Sequence, residues 1–153
     1  MRDDGQQQRG DNVTLDNNVT YSIDRQNPLG KGAQGAVFKA KSADGSLIAL
    51  KVVLKPSSRD EREYANLVKI QHPNVVKVLG RALLPLPVPD LGKVDCLAIG
   101  MELANGVSYD AYLKGKGTID WQEAAEDFRQ LISGMQAVHN QVLIAEHSQN
   151  ELL

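Results

Sequence analysis

The sequence predicts an α+β fold: a five-stranded antiparallel sheet with one helix set into it, followed by further helices. Three observations carry that prediction. Alternating apolar stretches beginning at Tyr21, Ala36 and Leu47 are separated by a glycine-rich loop and by Asp44-Gly45, a strong hairpin-turn signal. Two helix starts carry a capping pattern, Ser58 with Glu61 and Asp120 with Glu123. After Asp120, the residues Trp121, Ala124, Ala125, Phe128, Leu131, Ile132, Met135 and Val138 fall on one stripe with the period of a helix.

Composition bounds the function. A chain of 153 residues is one ordinary domain at most, and 42% hydrophobic with 24% charged residues is the balance of a globular protein. A net charge of −2 gives no reason to expect nucleic acid or an anionic membrane as partner. Cys96 is the single cysteine, so no internal disulfide can form. No run has the length of a membrane-spanning helix and the start lacks an apolar signal core, so the expected location is cytoplasmic or nuclear. The sequons at Asn12 and Asn18 are then chance matches, because glycosylation needs secretion.

Residues 1–20 are rich in Gln, Asn, Asp and Gly, and are expected to form a disordered tail that buries too little surface to offset its ordering entropy. The first strand begins at Tyr21. Gly30, Gly32 and Gly35 then follow at the spacing G-x-G-x-x-G, with Val37 two residues later. Glycines at this spacing let backbone N–H groups approach a polyphosphate closely. Dinucleotide-binding folds use the same glycines, but they need a helix directly afterwards. Here Ala36–Lys41 alternates as a strand and runs into the Asp44-Gly45 turn, so that fold is set aside. In the next strand Leu47, Ala49, Lys51 and Val53 share one face. A lysine on such a face is either a solvated edge residue or paired with an anion.

A helix is expected from Ser58 to about Gln71, with Glu63 on the same face as Leu67 and Ile70. Val75–Leu84 reads as the fourth strand, Pro85, Pro87 and Pro89 as a loop, and Cys96–Ala104 as the fifth strand with its exit. A short helix near Ser108–Lys114 precedes the long one, Asp120–Asn140.

The order of these signals resembles the protein kinase family. Ile48-Ala49-Leu50-Lys51 stands where that family has V-A-I-K, and His72-Pro73-Asn74 resembles its H-P-N. The resemblance covers residues 21–144, and it implies the N-lobe with its αC helix, the hinge and the first C-lobe helices, the C-lobe being incomplete; 145–153 reads as a divergent tail. It further implies an ATP site built from Leu29, Gly30, Gly32, Gly35, Val37, Ala49, Lys51, Glu63, Met101, Glu102 and Leu103. In that site Glu63 pairs with Lys51, Met101 controls access behind the adenine, and Glu102 and Leu103 offer backbone groups to the base.

The family's catalytic loop and D-F-G motif have no counterpart, since no aspartate follows Asp127. No catalytic and no metal-binding residue is therefore assigned. Magnesium is expected for the family, but the residues that would hold it are missing. ATP is the expected ligand, and the expected function is the ATP-binding portion of a kinase, inactive alone. A non-catalytic module that binds nucleotide, or another kinase or protein through the uncovered face of the long helix, is the alternative.

Overall fold

The structure, a computed structural model, describes residues 12–33 and 35–150. The chain forms two compact units. The first takes the chain up to Pro56 together with Gly80–Met101; the second takes Ser57–Leu79 and the chain from Glu102 onward. Among the described residues no helix is long and apolar enough to cross a membrane.

Among the described residues the sheet has six strands, β1 (Asn12–Thr14), β2 (Thr20–Gly32), β3 (Gly35–Ser42), β4 (Leu47–Leu54), β5 (Val78–Val88) and β6 (Gly92–Glu102), in the order β1-β2-β3-β4-β6-β5. The antiparallel sheet is as expected, with one strand more than the five predicted. The extra strand comes from the stretch read as a tail. Val13 and Leu15 are fully buried, so two apolar residues at alternate positions suffice to order residues 12–20. The rest of that tail, residues 1–11, lies outside the described residues. The β3–β4 turn is the predicted Asp44-Gly45, with Gly45 at φ +91°. Hydrogen bonds from the Ser42 hydroxyl and then the Ser46 backbone hold the Asp44 carboxyl below its ordinary range, at about 2.

Pro85 and Pro87 do not break the chain into a loop; β5 runs through both of them. The reason is their position. β5 is the outermost strand, and Arg81 turns both its N–H and its carbonyl outward to Asp16. By alternation residues 85 and 87 also face outward, where a missing N–H costs no ladder bond. The Pro87 carbonyl accepts instead from Arg25 Nη1 at 2.8 Å.

In the second unit, α1 (Ser58–Leu67) starts one residue earlier than its sequence pattern suggested and ends sooner. Ser57 caps it and Asp60 closes the capping box, because the Asp60 carboxylate reaches the Ser57 N–H at 2.8 Å. Tyr64 is the buried residue of α1 and Glu63 is exposed, which corrects the inward placement expected for that glutamate: the helix ends at Leu67, so Ile70 is buried from outside it and does not mark its inner face.

α2 (Tyr109–Lys116) and α3 (Trp121–Asn150) match the two predicted helices, although α3 continues ten residues beyond the expected Asn140. The boundary expected at residue 145 therefore falls inside a helix, and residues 151–153 lie outside the described residues. Asp120 caps α3 by accepting from the N–H groups of Gln122 and Glu123. The Glu123 side chain turns to Lys116 and Tyr112 of α2 instead of completing a capping box; Lys116 holds its carboxyl below the ordinary range.

The loop after α1 packs on α3. The Asn74 N–H donates to His72 Nδ1 at 3.1 Å, which leaves Nε2 to carry the proton of the neutral ring and donate to Ser133 Oγ, also at 3.1 Å. Beside it, a Cβ added at Gly134 would stand 2.7 Å from the Asn74 carbonyl oxygen. Gly134→Ala is therefore expected to lower stability by about 1–3 kcal/mol despite alanine's better helix propensity. Gly115→Ala in α2, where nothing lies within 4 Å of the new methyl, should raise it by up to about 1 kcal/mol. Urea unfolding midpoints of the two variants, moving in opposite directions, check this account.

Candidate functional site

The site is built on the first hairpin. Near its start β2 carries a register shift between Asp24 and Pro28, where the Asp24 carboxylate gathers the N–H groups of Gln26 and Asn27 at 3.1 and 3.3 Å. After a second shift between Pro28 and Gly30 the strands pair to the tip, with Gly30 opposite Val37, Lys31 opposite Ala36 and Gly32 opposite Gly35. β3 then pairs with β4 so that Val37 faces Lys51 and Gly35 faces Val53. Two antiparallel registers thus bring the glycines and the lysine to one place.

The three glycines do different things. At Gly35 a Cβ would stand 1.9 Å from the Val52 carbonyl oxygen, inside any contact distance, so the fold itself requires glycine there. At Gly30 and Gly32 nothing among the described residues lies within 4 Å of a would-be Cβ. No clash demands glycine at these two positions, and the effect of having it is bare backbone beside open space.

That space is a pocket of about 560 Å³ lined by Gly30, Lys31, Gly32, Ala33, Gly35, Ala36, Val37, Lys51, Val52 and Val53. Two lysines and, among the described residues, no acidic residue line it, with Lys51 half-buried in an otherwise apolar strand. Hydrophobic walls, exposed backbone and two cations suit a compact polyanion such as a polyphosphate.

Of the residues expected at the site, Gly30, Gly32, Gly35, Val37 and Lys51 meet here. Leu29 is half exposed, and Ala49 is buried two residues before Lys51; neither lines the pocket. Met101 ends the first unit, while Glu63, Glu102 and Leu103 belong to the second. The Glu102 N–H donates to the Lys77 carbonyl at 2.9 Å, and its carboxylate accepts from the Lys77 N–H at 3.0 Å. Lys31 was not among the expected residues. Its signal was present as a cation between two glycines, but alternation alone does not tell which face of a twisted hairpin it serves.

The same hairpin forms part of a second cavity of about 410 Å³, with Phe38, Leu54, Leu86, Val88 and Cys96 among its walls. Burial pushes the Cys96 thiol up, and its Sγ donates to the Val94 carbonyl at 3.1 Å, so this thiol is a packing group rather than a nucleophile. Among the described residues no cluster of three or more His, Cys, Asp or Glu side chains could hold a metal ion.

Gly35→Ala is expected to displace the hairpin from β4 and cost about 1–3 kcal/mol or more. Gly32→Ala, facing open space, should change stability by less than about 1 kcal/mol. Denaturant titration of the pair distinguishes the glycine that the fold requires from the one it does not.

Comparison with known proteins gives a consistent family. Residues 23–146 match the family described as "Protein kinase domain". A probable LRR receptor-like serine/threonine-protein kinase of Arabidopsis thaliana is 40% identical over 66 residues, which is 40% of this chain and 6% of that protein. Cysteine-rich receptor-like protein kinase 24 of the same plant is 30% identical over 128 residues, 79% of this chain and 19% of its own length. A G-type lectin S-receptor-like serine/threonine-protein kinase, also of that plant, is 28% identical over 128 residues, 79% of this chain and 15% of its own length. The chain matches less than a fifth of the length of each of these relatives.

Proposed function

The chain belongs to the protein kinase family, and on that premise we propose that it is the ATP-binding portion of a kinase. In the complete protein, the proposed reaction moves the γ-phosphoryl group of ATP to a protein hydroxyl. The observation that carries this reading is the pocket under the first hairpin: bare backbone at Gly30 and Gly32 beside Lys31 and Lys51, with no carboxylate among the described lining residues. In this role the hairpin N–H groups and the two lysines hold the phosphates, and Val37 packs against the nucleoside. The roles expected for Leu29, Ala49, Glu63, Met101, Glu102 and Leu103 belong to the same proposal. The family generally uses magnesium, which neutralises phosphate charge when bound; no residue of this chain is assigned to it.

On its own the 153-residue chain is proposed to hold nucleotide without transferring phosphate, because no aspartate follows Asp127 to orient an acceptor hydroxyl or hold the metal. The relatives' names make serine and threonine hydroxyls the acceptors to test first for the complete protein. The proposed location is the cytoplasm or nucleus, where ATP is available and Cys96 stays reduced. A second reading, a non-catalytic module that engages another kinase or protein, is favoured by the α3 stripe: Trp121, Phe128, Leu131, Ile132 and Met135 are all more than half exposed.

Thermal unfolding with and without ATP tests the first reading. ATP at 100 times its dissociation constant should add about 2.7 kcal/mol of stability to the wild type. Lys51→Ala should melt cooperatively and lose most of that gain. A cooperative melt indifferent to ATP would contradict nucleotide binding and leave the second reading.

A further inference from the structure

The kinase-family match begins at residue 23, yet two of the most buried side chains precede it: Val13 and Leu15 are 1% and 2% exposed. Leu15 lies over the sheet. A Cβ added at Gly100 of β6 would stand 2.4 Å from Leu15 Cδ1 and 3.3 Å from Ile48 Cδ1. The next residue reaches the far edge strand. The Asp16 N–H donates to the Arg81 carbonyl at 2.8 Å, and Asp16 Oδ1 accepts from the Arg81 N–H at 2.9 Å. A Cβ at Gly80 would stand 2.6 Å from that same Oδ1 and 3.3 Å from Leu15 Cβ.

The sheet order places β1 and β5 at opposite edges. One short segment therefore binds both. Asn12–Thr14 pairs with β2, and Asp16 pairs with Arg81 of β5. A tight turn holds it in that shape: Asn18 takes φ +62°, its N–H donates to the Leu15 carbonyl at 2.9 Å, and the Leu15 N–H donates to the Val19 carbonyl at 3.1 Å. Across the turn the Thr14 and Thr20 hydroxyls meet at 2.7 Å. At both Gly80 and Gly100, the nearest group that a side chain would strike belongs to this segment.

We propose that Val13–Asp16 is a built-in clasp: it docks in cis across the sheet, ties its two edges together, and supports the glycine hairpin into which β2 continues. Gly80 and Gly100 are its receiving surface. The link to nucleotide binding rests on the function proposed above; the clasp itself does not.

The test uses the whole chain as wild type, Leu15→Ala, Gly100→Ala and the double variant, with thermal unfolding and titration of a fluorescent anthraniloyl-ATP. Each single substitution is expected to lower the midpoint by about 5 °C or more. The double variant should melt no lower than Leu15→Ala, because removing the Leu15 terminal carbons clears room for the added methyl. Additive losses would overturn the clasp. Asp16→Ala, a milder change, should lower the midpoint by a few degrees, and no shift would count equally against it. Leu15→Ala should also weaken anthraniloyl-ATP binding by about fivefold; unchanged affinity would overturn the link to the hairpin. If the wild type binds no anthraniloyl-ATP, the nucleotide reading fails, while the stability cycle still decides the clasp.

Discussion

The approach of β3 to β4 at Gly35 is the constraint on which the site depends. A hydrogen in place of a side chain lets the hairpin backbone come against the Val52 carbonyl, where a Cβ would lie at 1.9 Å. That contact continues the ladder in which Val37 faces Lys51. Because strand pairing fixes side-chain faces with a period of two, a slip of one residue would turn Lys51 to the other side of the sheet. The place of Lys51 in the pocket lining thus follows from a backbone contact two residues away along β3, and the chemistry of the site follows from the place of the lysine.

The parts of this arrangement set by local rules were legible in the chain. Glycine spacing, the Asp44-Gly45 turn and the alternation through Lys51 each act over a few residues, and the glycine loop, the turn and the strand that carries Lys51 lie where they were read. The parts that failed depend on partners distant in sequence. Val13 and Leu15 look too few to order a polar segment until Gly80 and Gly100 supply a surface without side chains. Pro85 and Pro87 look like strand breakers until β5 proves to be an edge whose outward N–H groups are not needed. Glu63 was placed inward because Leu67 and Ile70 follow it at helical spacing, but α1 ends at Leu67, so Ile70 is buried from outside the helix and Tyr64 is the residue the helix buries. An apolar residue beyond the end of a helix no longer reports that helix's buried face, so the face of a short helix is hard to read when its end is misplaced.

α3 shows a second kind of tension between sequence and structure. Its apolar stripe was read correctly as a stripe, but periodicity says only that one face is apolar, not what covers it. The helix meets its neighbouring loop through Gly134 and Ser133, while Trp121, Phe128 and Met135 remain exposed. Burying five large side chains of this kind is worth roughly 10 kcal/mol, comparable with the stability of a whole domain. A face of that strength explains why the kinase-type and partner-binding readings draw on different surfaces of one chain, the first on the hairpin pocket and the second on α3.

Amide hydrogen exchange, followed peptide by peptide with and without saturating ATP, tests the central claim most directly. If the first hairpin and Lys51 form a polyphosphate pocket, slowed exchange should centre on residues 30–37 and 49–53. Exchange that is unchanged across these two segments, or slowed only in α3, would contradict the account.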